Sequence, residues 1–211
     1  MKNEVTLYFI GALTAFFSVV NPLSTMPVFL ALTVKASDRH RISMAKKSAF
    51  FMVLILLGFL IAGSFVMNFF GISLEGIRIA GGIIILRSGY MLLNTVEKPN
   101  LTTQSREEGL SKQDISLTPL AIPLLAGPGS MAVTISMSTN VAAGEFYKYL
   151  LIALAIVLIA FLVYLSFRYS AKLLPILGSS GLEALTKIIG FITMTIGVEF
   201  IIRGVKPLFN I

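Results

Sequence analysis

Two short stretches concentrate the groups of this chain that are capable of chemistry. "NPLST", Asn21 to Thr25, and "GPGS", Gly127 to Ser130, set prolines and hydroxyl side chains inside long apolar sequence. Neither stretch contains a fully charged side chain, so their chemistry is that of backbone dipoles, an amide and hydroxyls. Asn21 followed by Pro22 reads as a helix restart, because Asn is a preferred N-cap and Pro fits the first turn without losing a bond. Leu23 onward forms the new half-helix, and Pro27 removes one more N–H from it. In the second stretch, Gly127 is expected to end one half-helix in a left-handed conformation and Pro128 to begin the next. Gly129 is expected to let a ligand approach the backbone. Pro119 and Pro123 weaken the incoming half.

A break of this kind exposes N–H groups carrying about half a positive charge at the new N-terminus, and bare carbonyls at the old C-terminus. The N–H groups suit a carboxylate, and the carbonyls suit an ammonium group or a cation. Two facing breaks offer both, which matches a small zwitterion that is neutral overall. Ser24, Thr25 and Ser130 add hydroxyls. In hydrocarbon an unsatisfied backbone group costs several kcal/mol, so such breaks persist only inside protein or beside a watery cavity.

Two charged residues deserve weighing beside the breaks. Arg87 stands well inside an apolar segment and is a candidate to hold a substrate carboxylate or counter-ion. Its plainer role is snorkelling to the interface. Glu199 is a carboxylate within a late apolar segment and a candidate proton carrier, but Arg203 lies four residues on and favours a structural ion pair. Glu75 with Arg78, and Glu183 with Lys187, read as further pairs of that kind at helix entrances. An enzyme is not expected. His40, the only histidine, falls in a link, Asp38 and Asp114 lie at or beyond helix ends, and cysteine is absent. A Ser–His pair, an aspartate dyad and an HExxH zinc site are therefore unavailable within the apolar segments. No metal site and no cofactor are expected, and the coupling ion is open between H+ and Na+.

The elements that position these groups follow from composition. Of 211 residues 56% are apolar and 13% charged, about half the charge of an ordinary soluble domain. Mean hydropathy is +0.89. The formal charge of +7 does not point to nucleic acid, because the basic residues sit between apolar runs, not in one stripe. Six segments are long enough to span a bilayer, at about 5–33, 48–67, 76–95, 115–139, 149–168 and 184–203. The first runs too far beyond a signal-type core to be a cleavable signal and reads as an anchor. Lys and Arg concentrate in the first, third and fifth links, which places those links in the cytoplasm and both termini outside.

The chain also resembles itself. "NPLS" (Asn21–Ser24) lies over "GPGS" (Gly127–Ser130) at an offset of 106 residues, and "IAGGIIILRSG" over "KIIGFITMTIG" at 108. Residues 1–97 and 115–211 thus read as two copies of a three-segment unit joined by a polar linker, 98–114. Three crossings is an odd number, so the second copy enters from the opposite face. The expected fold is an all-α membrane protein of six transmembrane helices in two inverted three-helix repeats, its first and fourth helices broken. Gly58, Gly63, Gly81, Gly82 and Gly190 are expected to let helices approach closely.

The stretches "FFSVVNPLSTMPVFLALT" (Phe16–Thr33), "PLAIPLLAGPGSMA" (Pro119–Ala132) and "RIAGGIIIL" (Arg78–Leu86) resemble those of the MarC family, which includes the SnatA-type neutral amino acid transporters. The resemblance covers essentially the whole chain. It implies a six-helix inverted-repeat transporter of the cytoplasmic membrane, with small neutral amino acids such as glycine or alanine as substrates. It also implies binding loops at Asn21–Pro22–Leu23–Ser24 and Gly127–Pro128–Gly129–Ser130. This chain has Ser24 where the family commonly has Gly, and Ser130 where a small residue such as Ala is usual; both departures add a hydroxyl. A channel, or an exporter of another small neutral solute, is the alternative. The sequence leaves oligomeric state open.

Overall fold

A computed structural model describes residues 2–33, 36–94, 125–142 and 144–209. Regular structure among them is entirely helical: α1 (Lys2–Val20), α2 (Pro22–Leu32), α3 (Asp38–Phe70), α4 (Leu74–Leu93), α5 (Pro128–Thr139) and α6 (Phe146–Val205), closed by a 3-10 turn at Lys206–Phe209. α6 is not one rod. Gly178 leaves helical geometry at φ 65°, ψ 173°, a conformation open to glycine, and divides it into limbs 146–177 and 179–205.

Five stretches among the described residues are long and apolar enough to cross a membrane: Asn3–Leu30, Asp38–Phe70, Leu74–Leu93, Phe146–Leu173 and Ser180–Phe209. They match the expected first, second, third, fifth and sixth segments. The expected fourth, 115–139, lies outside the described residues up to position 124, as do the linker 98–114, Pro119 and Pro123.

Helix boundaries differ from expectation in two places. α3 begins ten residues before the expected apolar start, with Ser37 as its cap: the Ser37 hydroxyl accepts from the His40 N–H at 3.4 Å. Arg, Lys, Met and Ala are good helix formers and no breaker follows Asp38, so the basic link continues the helix. His40 therefore sits in a first helical turn and not in a loop. The fifth link is likewise helical except at Gly178.

The tightest packing joins α4 to the second limb of α6. A methyl group on Gly82 would lie 2.7 Å from Gly197 O, and one on Gly89 would lie 2.7 Å from Gly190 O. Only glycine lets the backbones meet this closely, as membrane helix pairs without a hydrophobic driving force require. Gly63 packs on Ile135 and Ser138, and Gly81 on Ala132. Gly58 is the exception to the expected set: nothing lies within 4 Å of it. Elsewhere the core is made of large apolar groups, including Phe16, Met26, Phe29, Met52, Ile85 and Phe167, all fully buried. Phe29 of α2 stacks on Phe167 of α6 with ring centroids 4.2 Å apart and planes 9° from parallel.

Candidate functional site

The first break is built by Asn21. It separates α1 from α2 at φ 46°, ψ 69°, the one non-glycine residue with positive φ among those described. The left-handed region costs most residues about 1–2 kcal/mol, and Asn is among the few that visit it. Its own N–H still donates to Phe17 O at 2.9 Å, closing α1. Its side-chain Oδ1 accepts from the Ser24 N–H at 3.2 Å, so it caps α2 as expected, with Pro22 at the first helical position. That bond fixes which end of the amide is which. The opposite end, Nδ2, is buried and has no hydrogen-bond partner among the described residues.

The neighbouring hydroxyls turn inward on the break. Thr25 Oγ1 donates to Asn21 O at 3.2 Å and Pro22 O at 3.0 Å. Ser24 Oγ reaches Thr186 Oγ1 on the second limb of α6 at 3.3 Å. Leu23 is partly buried against the core. The outgoing end of α1 is served from a distance, Thr193 Oγ1 donating to Ser18 O at 3.0 Å.

At the second break, Pro128 starts α5 and Gly127 is its N-cap, with no side-chain cap bond. Gly127 has φ −73°, ψ 175°, an extended backbone and not the expected left-handed one. The reason is local: a residue before proline is pushed to extended geometry by the ring. Asn21 also precedes a proline and departs from that preference, so among the described residues of the two breaks the strained backbone is at Asn21. Ser130 is buried and donates to Leu125 O at 3.0 Å, holding the residue before the break. Gly129 joins the two breaks. A methyl group there would lie 3.0 Å from Val19 Cγ1 and 3.2 Å from Ile85 Cγ1. The close approach expected of a ligand is thus made by protein side chains, one of them two residues from Asn21.

Arg87 and Glu199 stand away from this arrangement. Arg87 is exposed on α4. Glu199 is exposed and bonded to Arg203 Nε at 2.8 Å, the structural pair the spacing favoured, and Lys187 pairs with Glu183 at 2.7 Å. Arg78 does not follow that pattern with Glu75. Its Nη2 donates to Asn140 Oδ1 at 2.6 Å, its Nε to Ser136 Oγ at 3.2 Å and its Nη1 to Arg203 O at 3.5 Å. The sequence reading does not single out Thr186 and Thr193 beside the first break, and it gives Arg78 a partner, Glu75, other than those it takes at the far end of α5. The available signal was a polar side chain in an apolar helix. No cluster of His, Cys, Asp or Glu able to hold a metal ion occurs among the described residues.

The arrangement offers an unused amide donor, a helix N-terminus with no side-chain cap and buried hydroxyls, groups that suit recognition of a small polar solute.

Comparison with known proteins agrees with the sequence resemblance. The family described as MarC family integral membrane protein matches residues 6–209. A UPF0056 membrane protein of Methanocaldococcus jannaschii is 35% identical over 199 residues, covering 94% of this chain and 96% of its own. The membrane protein YvbG of Bacillus subtilis is 34% identical over 206 residues, 97% of each chain. The inner membrane protein MarC of Escherichia coli is 33% identical over 202 residues, 92% of this chain and 91% of its own. No solved structure matches. With its apolar helices and this similarity along nearly its full length, the chain is a multi-pass membrane protein that belongs to the MarC family.

Proposed function

We propose that the protein is a secondary transporter that moves small neutral amino acids, glycine- or alanine-like, across the cytoplasmic membrane by alternating access. The observation that carries this reading is Asn21 Nδ2, a buried donor left unused at the point where two broken helices meet. A buried polar group without a partner costs about 1–3 kcal/mol, and a solute oxygen accepting from it removes that cost. The uncapped N-terminus of α5 adds N–H groups and positive dipole for a carboxylate. Carbonyls at the end of α1 serve an ammonium group or Na+; if the coupling ion is H+ instead, Glu199 is the candidate to carry it.

The inverted-repeat architecture belongs to this proposal: 1–97 and 115–211 as the two halves, 98–114 as a cytoplasmic linker, both termini outside. Its support is a contact that recurs as its own image. Gly82 meets Gly197 and Gly89 meets Gly190. Shifting the first contact by the repeat offset of 108 and exchanging partners gives the second. A two-fold relation between halves produces that pattern. The cytoplasmic membrane is the natural location, since the similar Escherichia coli protein is named an inner membrane protein.

The test is counterflow in proteoliposomes loaded with unlabelled glycine or alanine and diluted into the labelled amino acid. Wild-type protein is expected to accumulate label transiently. N21D keeps the cap acceptor and in its ionised form loses the donor, so it is expected to abolish accumulation where the carboxyl is ionised, with elution at the wild-type volume in size exclusion showing that it folds. Label that equilibrates without transient accumulation identifies a channel, and no uptake by folded protein removes the amino acid reading.

A further inference from the structure

The half-helices that follow the two breaks, α2 and α5, hold equivalent places in the two halves, yet their neighbours grip them differently. Near the far end of α5 stands Arg78, whose guanidinium bonds to Ser136 and Asn140 of α5 and also to the Arg203 carbonyl on the second limb of α6. The same end of α5 is held again by Tyr149, whose hydroxyl donates to Ser138 O at 3.0 Å. At the repeat offset of 108, the position of Arg78 corresponds to Thr186. Thr186 gives α2 one hydroxyl contact, with Ser24 at 3.3 Å. The rest of the hold on α2 includes the stacked pair Phe29–Phe167. Bonds from a charged donor are strong and directional, whereas a stacked ring pair slides at little cost.

We propose that Arg78 is a latch that fixes α5 and leaves α2 as the half-helix that moves, so that the solute path opens on the α2 side while the Arg78 end stays shut. This rests on the reading of the protein as a broken-helix transporter, but not on its solute. The three acceptors of Arg78 are neutral: a hydroxyl, an amide carbonyl and a backbone carbonyl. A clasp onto neutral groups at a helix end can exchange with water and re-form, which a buried ion pair cannot do cheaply. The guanidinium also ties three helices at one point, so its release frees α5 from α4 and from α6 together. Arg78 acts here as a positioning residue, without contact to the solute.

The chain contains no cysteine, so single cysteines report cleanly. M26C on α2 and V133C on α5 replace apolar side chains that are fully buried. L208C, at the exposed end beyond Arg203, marks which membrane face carries the latch. A charged methanethiosulfonate is applied to each side of sealed vesicles, with no solute present. With Arg78 intact, M26C is expected to react from the face opposite L208C while V133C stays protected. In R78Q, V133C is expected to react from the L208C face roughly tenfold faster, the change that loss of one charged hydrogen-bond set produces. R78K keeps the charge without the planar fork and is expected to fall between, and it serves alone if R78Q does not fold. Unchanged protection of V133C in R78Q or R78K overturns the proposal. So does equal protection of both reporters with Arg78 intact, or faster labelling of both from both faces, which marks general loosening. Because no solute is used, labelling as expected beside failed counterflow removes the amino acid reading and keeps the latch.

Discussion

The hydroxyl of Thr193 is shared between the carbonyl of Ile189 in its own helix, at 2.8 Å, and that of Ser18, 175 residues earlier in the chain, at 3.0 Å. Ser18 lies in the last turn of α1, where carbonyls have no partner within the helix. T193V is expected to leave that carbonyl bare and to cost about 1 kcal/mol, within the range found for bonds between membrane helices. T193S keeps the donor and is expected to retain most of the stability. Thermal unfolding of the two variants in one detergent decides it, and equal melting points would assign the bond no weight.

The glycine seam yields a sharper contrast. A methyl group at Gly89 meets the Met194 backbone nitrogen and lies 2.7 Å from Gly190 O. Neither neighbour is a side chain that can turn away, so G89A is expected to destabilise by about 2–3 kcal/mol or to prevent assembly of α4 on α6. G58A meets nothing within 4 Å and is expected to stabilise by about 0.5–1 kcal/mol, as alanine replaces glycine in a helix. Fluorescence-detected size exclusion after a heating series separates the two.

Glu199 and Arg203 form an exposed pair, with half or more of each side chain accessible. A pair between neighbouring turns of one helix forms whether or not the helices assemble, so it contributes little to the packing of the fold. E199Q is therefore expected to leave both the melting point and any pH-driven transport unchanged within about twofold. Loss of transport in E199Q with an intact fold would instead make Glu199 the proton carrier.

Acid stability is expected to depend on Glu145, which precedes α6. Its hydrogen bond to Lys148 at 2.6 Å holds the carboxyl below its ordinary 4.5. A depressed folded-state pKa contributes stability above the unfolded value and loses it as pH falls through the folded one. Between pH 7 and 5 this pair should therefore add no slope, and the loss should begin below about 4.5. E145Q is expected to flatten that acid limb in a pH series of melting points; an unchanged limb would assign it to other carboxylates.

Legibility in the sequence tracked how local each cause is. Asn21 announced itself as a cap because the bond it makes, to Ser24, spans three residues. Glu199 and Arg203 paired as written because helical spacing brings them together. Gly127 was misread although the signal, the following proline, stood next to it; the freedom of glycine was given more weight than the constraint from Pro128. The partners of Arg78 were out of reach. Its nearer acidic residue, Glu75, is a sequence neighbour, but the acceptors it takes lie 58 to 125 residues away. The early start of α3 is less legible because its first turns are basic and polar: helix propensity carries them, and hydropathy, which marks the span, does not.

The corner at Gly178 turns the last two spans into a crank. The limbs 146–177 and 179–205 share one non-helical residue, so two torsions govern the angle between them. Both limbs also touch α2, the first through Phe167 on Phe29 and the second through Thr186 on Ser24. The seat of α2 is therefore divided between the two arms, and the angle at a single glycine sets how its two supports stand to each other. A slack loop in that place would leave the two supports independent; a one-residue joint leaves them two torsions of freedom.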